Sequence, residues 1–281
     1  MTLAAGCGLV QAAVTASDDV GVTITLAQPA RRIVSLAPNA TELLYAVGAG
    51  AQLVGVVASS DWPPEAKMLP RVGDAHALDL ERIVALGPDL VVTWPYTVAA
   101  QVAVLRARGI PVFTLDPATI DGIASGMERL GELTGTRAAA AAQAARFRDR
   151  LARLRAQYAG APTVRVFYEI WGMPLYTIGG RHLITQALAA CGGENVFATS
   201  SAPAPLVSVE AVLAARPDAI VAGASDAVRP DWLDEWRRWP AQPAVARGRL
   251  YTVDANLLHR AGPRFVDGVE ALCGALADAR R

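Results

Sequence analysis

Short apolar runs alternate with amphipathic stretches along most of the chain. The runs at 32–36, 53–57, 90–93 and 112–115 are too short for helices and read as buried strands. Helical spacing predicts a helix over 42–47, closed by Gly48 and Gly50, then helices over 80–86 and 99–108. Asp79 stands where a helix cap belongs, and Gly87-Pro88 ends the second of these helices. Strands alternating with helices predict parallel βαβ units.

The stretch from Asp121 to Tyr158 holds no proline and reads as one long helix. Phe147, Leu151, Leu154 and Tyr158 recur at helical spacing in its second half. Its first half is weakened by Gly122, Gly126, Gly131 and Gly135, each costing about 1 kcal/mol relative to Ala, so Gly135 is a natural break point. Beyond it the alternation restarts, with strands at 164–168, 219–222 and 250–253 and helices at 183–190, 209–215, 232–239 and 264–279.

The restart is a repeat. Residues 80–92 and 209–221 both read as short helix, Pro-Asp, apolar strand. Glu210 follows Glu81, and Pro217 follows Pro88, by the same 129 positions. This predicts an α/β fold of two Rossmann-like lobes with parallel-type sheets, joined by a single long helix. The domains are 31–118, the N-terminal lobe; 119–160, the connecting helix; and 163–281, the C-terminal lobe. A cleft between two such lobes is a favoured ligand site.

Charge is balanced, 26 basic against 26 acidic residues, with no basic stripe, so nucleic acid is not an expected partner. No run has the length and apolarity of a membrane span. Residues 1–17 are small and apolar, and Val14-Thr15-Ala16 resembles a signal-peptidase site. Leu3-Ala4-Ala5-Gly6-Cys7 is similar to a lipoprotein box. The segment reads as an export signal, truncated at its start, or a lipoprotein leader, and is left out of the expected fold. Cys191 and Cys273 remain; two buried thiols or an oxidised pair both fit, the pair being favoured in an exported protein.

Catalytic signals are scarce. His76, His182 and His259 lie far apart, without metal-ligand spacing, so no metal site is expected. There is no Walker loop and no Gly-x-Ser-x-Gly elbow. Aromatic residues instead gather where strands end: Trp94 and Tyr96 after one, Trp171 and Tyr176 after another, with Trp62 in a proline-rich loop. In open α/β sheets ligands bind beyond the carboxyl ends of strands, and flat side chains there suit a large ligand with apolar faces. Trp232, Trp236 and Trp239 read as the packing face of their own helix. Glu81 and Glu210 hold equivalent places in a first helical turn, where the helix dipole favours an acid.

Several stretches together resemble a known family. They are Arg32-Ile33-Val34-Ser35-Leu36-Ala37-Pro38 with Thr41-Glu42-Leu43, Asp61-Trp62-Pro63-Pro64, residues 80–92, Cys191-Gly192-Gly193-Glu194-Asn195-Val196-Phe197, and Arg260-Ala261-Gly262-Pro263-Arg264. The family is the periplasmic substrate-binding proteins of ATP-driven importers, the helical-backbone class that carries cobalamin, ferric siderophores or haem. The match is best to its cobalamin-binding members. The resemblance implies a monomeric periplasmic carrier, not an enzyme, with no cofactor of its own. It would deliver a corrinoid, cobalamin, to a membrane permease; a ferric siderophore or haem is the alternative cargo. A two-lobed α/β enzyme is the rival from another class.

Residue by residue, the resemblance implies that Glu81 and Glu210 dock on the transporter. The family's cleft aromatics map onto Trp94 and Tyr176, which match, and onto Ser59, Ala75, Ile170 and Ala204, where this chain departs from the pattern; Ser59 is kept as a ligand candidate. Trp171 stands one place from an expected aromatic, and Tyr96 and Trp62 are further ligand candidates from their places after a strand and in a loop. Asn256 and Arg260 match polar positions near the ligand, and Cys191 and Cys273 match a paired cysteine.

Overall fold

The computed structural model describes residues 13–74, 77–224 and 230–281. The chain divides into two compact units. One runs to Asp116 and takes in Gly126–Gln143; the other comprises Pro117–Ser125 and Ala144–Arg281.

The first unit opens with a hairpin, β1 (Val14–Ser17) and β2 (Thr23–Leu26), paired antiparallel. This corrects the expectation that everything to Ser17 lies outside the fold. Val14 and Ala16 are buried while Thr15 and Ser17 are exposed, the period-two pattern of a half-buried strand. The hairpin turn is anchored by acids. Asp18 accepts from Val22 N and Thr114 N, and Asp19 accepts from Asp116 N at 2.8 Å and pairs with Arg129 at 2.6 Å. Residues 1–12, the greater part of the proposed leader with Cys7, lie outside the described residues, as do Ala75 and His76.

There follow β3 (Ile33–Ser35), α1 (Pro38–Ala46), β4 (Leu53–Val56), α2 (Leu80–Ala85), β5 (Leu90–Thr93), α3 (Ala99–Ala107) and β6 (Val112–Thr114). Helix α1 starts four residues earlier than its periodicity suggests, because Pro38 suits a first helical turn, where no N–H is needed. The strands form a parallel sheet in the order β4-β3-β5-β6. Val34, Leu36, Ile83, Val91, Leu105 and Val112 pack into one core on its face.

The expected single helix over 121–158 is two helices, α4 (Ile120–Thr134) and α5 (Arg137–Tyr158). Gly135, at φ +74°, takes the left-handed conformation that ends α4. Thr136 N then bonds back to Gly131 O at 2.9 Å. Gly131 has a different reason: a Cβ there would lie 2.3 Å from that of Ala140, so its absence lets α4 and α5 approach closely.

The second unit continues with β7 (Val164–Gly172), β8 (Leu175–Thr177), α6 (Leu183–Ala190), β9 (Gly193–Asn195), α7 (Val209–Ala215), β10 (Ala219–Ala224), α8 (Asp231–Asp234), α9 (Pro243–Ala246), β11 (Leu250–Asp254), α10 (Ala255–Leu258) and α11 (Phe265–Ala279). Its sheet runs β11-β10-β7-β8, with β9 also on β7; β8 alone is antiparallel. The helix expected over 232–239 is the single turn α8 followed by a 3-10 turn, Glu235–Arg238. Trp236 is buried there against Phe167 and Trp239, at ring distances of 5.5 Å each. Cys191, closing α6, is bonded to Cys273 of α11.

The repeat holds at the level of single hydrogen bonds. Asp79 caps α2 by accepting from Arg82 N, and Ser208 caps α7 by accepting from Ala211 N. Asp89 accepts from the backbone N–H groups of Arg31 and Arg32, and Asp218 from that of Arg165, so each Pro-Asp clasps the start of a neighbouring strand. Ile83 and Val212 are the fully buried residues of their helices.

Candidate functional site

In the first unit all four sheet strands are parallel, so their carboxyl ends share one edge. Ser59 and Trp62 follow β4 there, and Trp94 and Tyr96 follow β5. Ser59 is exposed. Trp62 keeps 43% of its surface open in a loop shaped by a cis bond to Pro63. Tyr96 is 71% exposed and stands edge-on to the half-buried Trp94, centroids 5.1 Å apart and planes at 81°. The turn carrying them is fixed from inside: Thr93 Oγ1 donates to Thr97 Oγ1 at 2.8 Å, and Thr97 N to Trp94 O. Trp94 Nε1 is buried and, among the described residues, donates to nothing.

In the second unit the same edge belongs to β7, β10 and β11. Trp171, one residue from the end of β7, pairs in register with Tyr176 of β8. Trp171 is 58% exposed and its Nε1 donates to Met173 O at 3.0 Å, which holds the indole outward; Tyr176 is half-buried. Asn256 and Arg260 lie just beyond β11, both half-buried. Asp254 caps α10 by accepting from Asn256 N at 2.8 Å. Ser59, Trp62, Trp94 and Tyr96 thus follow carboxyl ends of strands in the first unit, and Trp171, Tyr176, Asn256 and Arg260 lie at that edge in the second; Ala75 lies outside the described residues.

The sequence reading missed a cluster at this edge. Tyr168 of β7 is fully buried, and its hydroxyl lies 3.1 Å from His259 Nε2. His259 is exposed by area, yet its imidazole packs on Gly223 of β10, where a Cβ would come within 2.6 Å of the ring. Burial holds the imidazole down to about 4, helped by nearby His182 and opposed by Asp254, so the ring is neutral at pH 7. His182 is likewise lowered by burial, and its Nδ1 caps α6 by accepting from Ile184 N. The only sequence sign of this cluster was two histidines 77 positions apart, which no spacing rule joins.

Glu81 and Glu210 are both exposed in the first turns of α2 and α7. The Glu210 carboxyl is held below its usual range, first by a bond to its own backbone N–H and then by Ser208. Among the described residues no group of three His, Cys, Asp or Glu is placed to hold a metal, and no helix is long and apolar enough to cross a membrane.

Two α/β units, each presenting aromatic and polar side chains at a sheet's carboxyl edge, define a two-lobed binding protein. Residues 33–257 match the periplasmic binding protein family, and the chain belongs to it. It is similar to the vitamin B12-binding protein of Vibrio cholerae, 37% identical over 255 residues, covering 90% of this chain and 91% of that protein. The crystal structure of the periplasmic vitamin B12 binding protein BtuF of Vibrio cholerae superposes with a TM-score of 0.81 at 36% identity, covering 90% of this chain and 99% of that one. The periplasmic heme-binding protein RhuT from Roseiflexus sp. RS-1, in apo form, gives 0.77 at 29% identity, covering 89% and 99%.

Proposed function

We propose that this chain is an extracytoplasmic carrier that binds cobalamin and hands it to an ATP-driven membrane importer. The observation that carries the reading is the Trp94–Tyr96 pair, an open aromatic platform on a parallel sheet's carboxyl edge. The identity to a vitamin B12-binding protein over nine-tenths of the chain supports it. Trp94, Tyr96, Trp171 and Tyr176 would cover apolar faces of the corrin, with Trp62 and Ser59 at its margin. Asn256 and Arg260 would meet polar edges. Cobalamin is then cargo, not cofactor, and the chain acts as a monomer without catalysis. Glu81 and Glu210 are the proposed contacts for the importer. Export, with or without a lipid on Cys7, would place the protein in the periplasm.

One observation favours a second cargo. His259 offers a neutral imidazole at the same edge, chemistry that suits the iron of haem, and the heme-binding RhuT shares the fold. Calorimetry of the purified protein with cobalamin, hemin and a ferric siderophore decides among them. One-to-one cobalamin binding at micromolar affinity or tighter, on the order of −8 kcal/mol, is expected. Silence with cobalamin beside tight hemin or ferric-chelate binding would overturn the reading.

A further inference from the structure

The second unit holds a cavity of about 190 Å³ away from the Tyr168–His259 cluster. Glu169 and Tyr168 are consecutive on β7 and so point to opposite faces of the sheet. On the Glu169 face, Trp232, Trp236 and Trp239 line the cavity with Leu175 and Val209. Gly172 makes room for one of these indoles, since a Cβ there would lie 2.6 Å from Trp232 Cγ. The space is smaller than a drug-sized pocket and fits a small organic molecule.

Glu169 is the chemically odd member of this wall. It is 2% exposed, and its hydrogen bond within the cavity wall is from Trp236 Nε1 to Oε2 at 2.8 Å. No cation among the described residues offsets it. Arg238, also in the lining, is already paired with Glu235 at 2.7 Å, and β8 and β10 present only Thr177 and Ala222 beside it. Burial therefore raises the carboxyl to about 8, against the lowering effect of the Trp236 bond. As a mere acceptor for Trp236, a glutamine amide would serve without a buried ionisable group.

We propose that this cavity is a second ligand site, selective for small organic ammonium ions. Indole faces attract a cation held over them, most strongly where water is excluded. Glu169 supplies the counter-charge on demand: it gives up its proton to solvent as the cation enters, leaving a carboxylate beside the ammonium. An anion would meet the Glu169 carboxyl and apolar indole walls, with the lining's Arg238 already paired to Glu235. A neutral guest would leave the carboxyl protonated and use only the apolar walls.

The test uses choline, whose charge does not titrate, and 3,3-dimethyl-1-butanol, its uncharged counterpart, with tryptophan fluorescence and saturation-transfer NMR on the full chain. Choline affinity is expected to rise about tenfold per pH unit from about pH 6 to near 8 and then level off, because one proton leaves per cation bound. The alcohol should bind weakly and without pH dependence. Glu169→Gln should abolish the slope and bring choline down to the alcohol. Trp232→Leu should weaken choline several-fold and leave the alcohol nearly unchanged. Near-ultraviolet circular dichroism and melting confirm that each variant folds. Absence of saturable choline binding, equal affinity for choline and the alcohol, or a slope that survives Glu169→Gln would each overturn the proposal.

Discussion

The hydroxyl of Tyr168 and Nε2 of His259 lie 3.1 Å apart, and burial, helped by His182, makes that ring titrate far below its unfolded value. The unfolded chain therefore binds a proton at this residue before the folded one does. Its contribution to stability is complete above about pH 6.5 and is lost as pH falls toward 4. Melting curves of the wild type and His259→Gln over that range should show a shallower acid decline in the variant. Parallel curves would mean that the ring titrates normally.

Glu81→Ala and Glu210→Ala should leave ligand affinity unchanged while slowing uptake. Exposed ion pairs are individually weak, but an interface that loses both carboxylates leaves two transporter charges unmatched. Each single variant should lose transport several-fold, and the double at least about tenfold. A pure dipole role would instead give a slightly lower melting temperature and normal uptake. Affinity, melting and transport measured on the same three variants separate these outcomes.

Cys191 and Cys273 are 82 positions apart, so their bond restrains a large loop of the unfolded chain. Replacing both with Ser should cost about 4 to 5 kcal/mol on the chain-entropy view. Urea unfolding of the oxidised protein and the double-Ser variant gives the number. A difference under about 1 kcal/mol would show that α11 is held by packing alone.

Gly87 and Arg216 are equivalent in the repeat, and both take left-handed backbone, φ +57° and +46°. Arg216 is the only non-glycine residue with positive φ among the described residues. Arg216→Gly should stabilise by up to about 1 kcal/mol. Gly87→Arg should cost a similar amount, for conformational reasons alone, because a Cβ at Gly87 meets nothing within 4 Å. Opposite shifts in melting temperature are expected; two losses would show that Arg216 has a tertiary role outweighing its strain.

Much of this fold was legible because each strand is a short apolar run with a turn signal at its end, as at Gly87-Pro88 before β5. The glycines marked the break between α4 and α5 in advance, although the length of the proline-free stretch argued for one helix. The first hairpin was hidden because Val14–Ser17 is as small and apolar as an export leader, and only its pairing with Thr23–Leu26 tells them apart. The aromatic candidates were readable from their places at strand ends. His259 and Tyr168 were not, because parallel pairing of β7, β10 and β11 joins residues that sequence keeps 91 positions apart.

The paired clasps have a consequence for building with this protein. Residues 79–92 and 208–221 each carry a cap, a glutamate, a buried anchor, a left-handed turn and an aspartate that grips an arginine's backbone at the start of a neighbouring strand. Such a segment is a cartridge with matching fittings at both ends. Either could be moved into the other's socket, or an importer's preferred surface grafted from a relative, with the sheet behind it left as it stands.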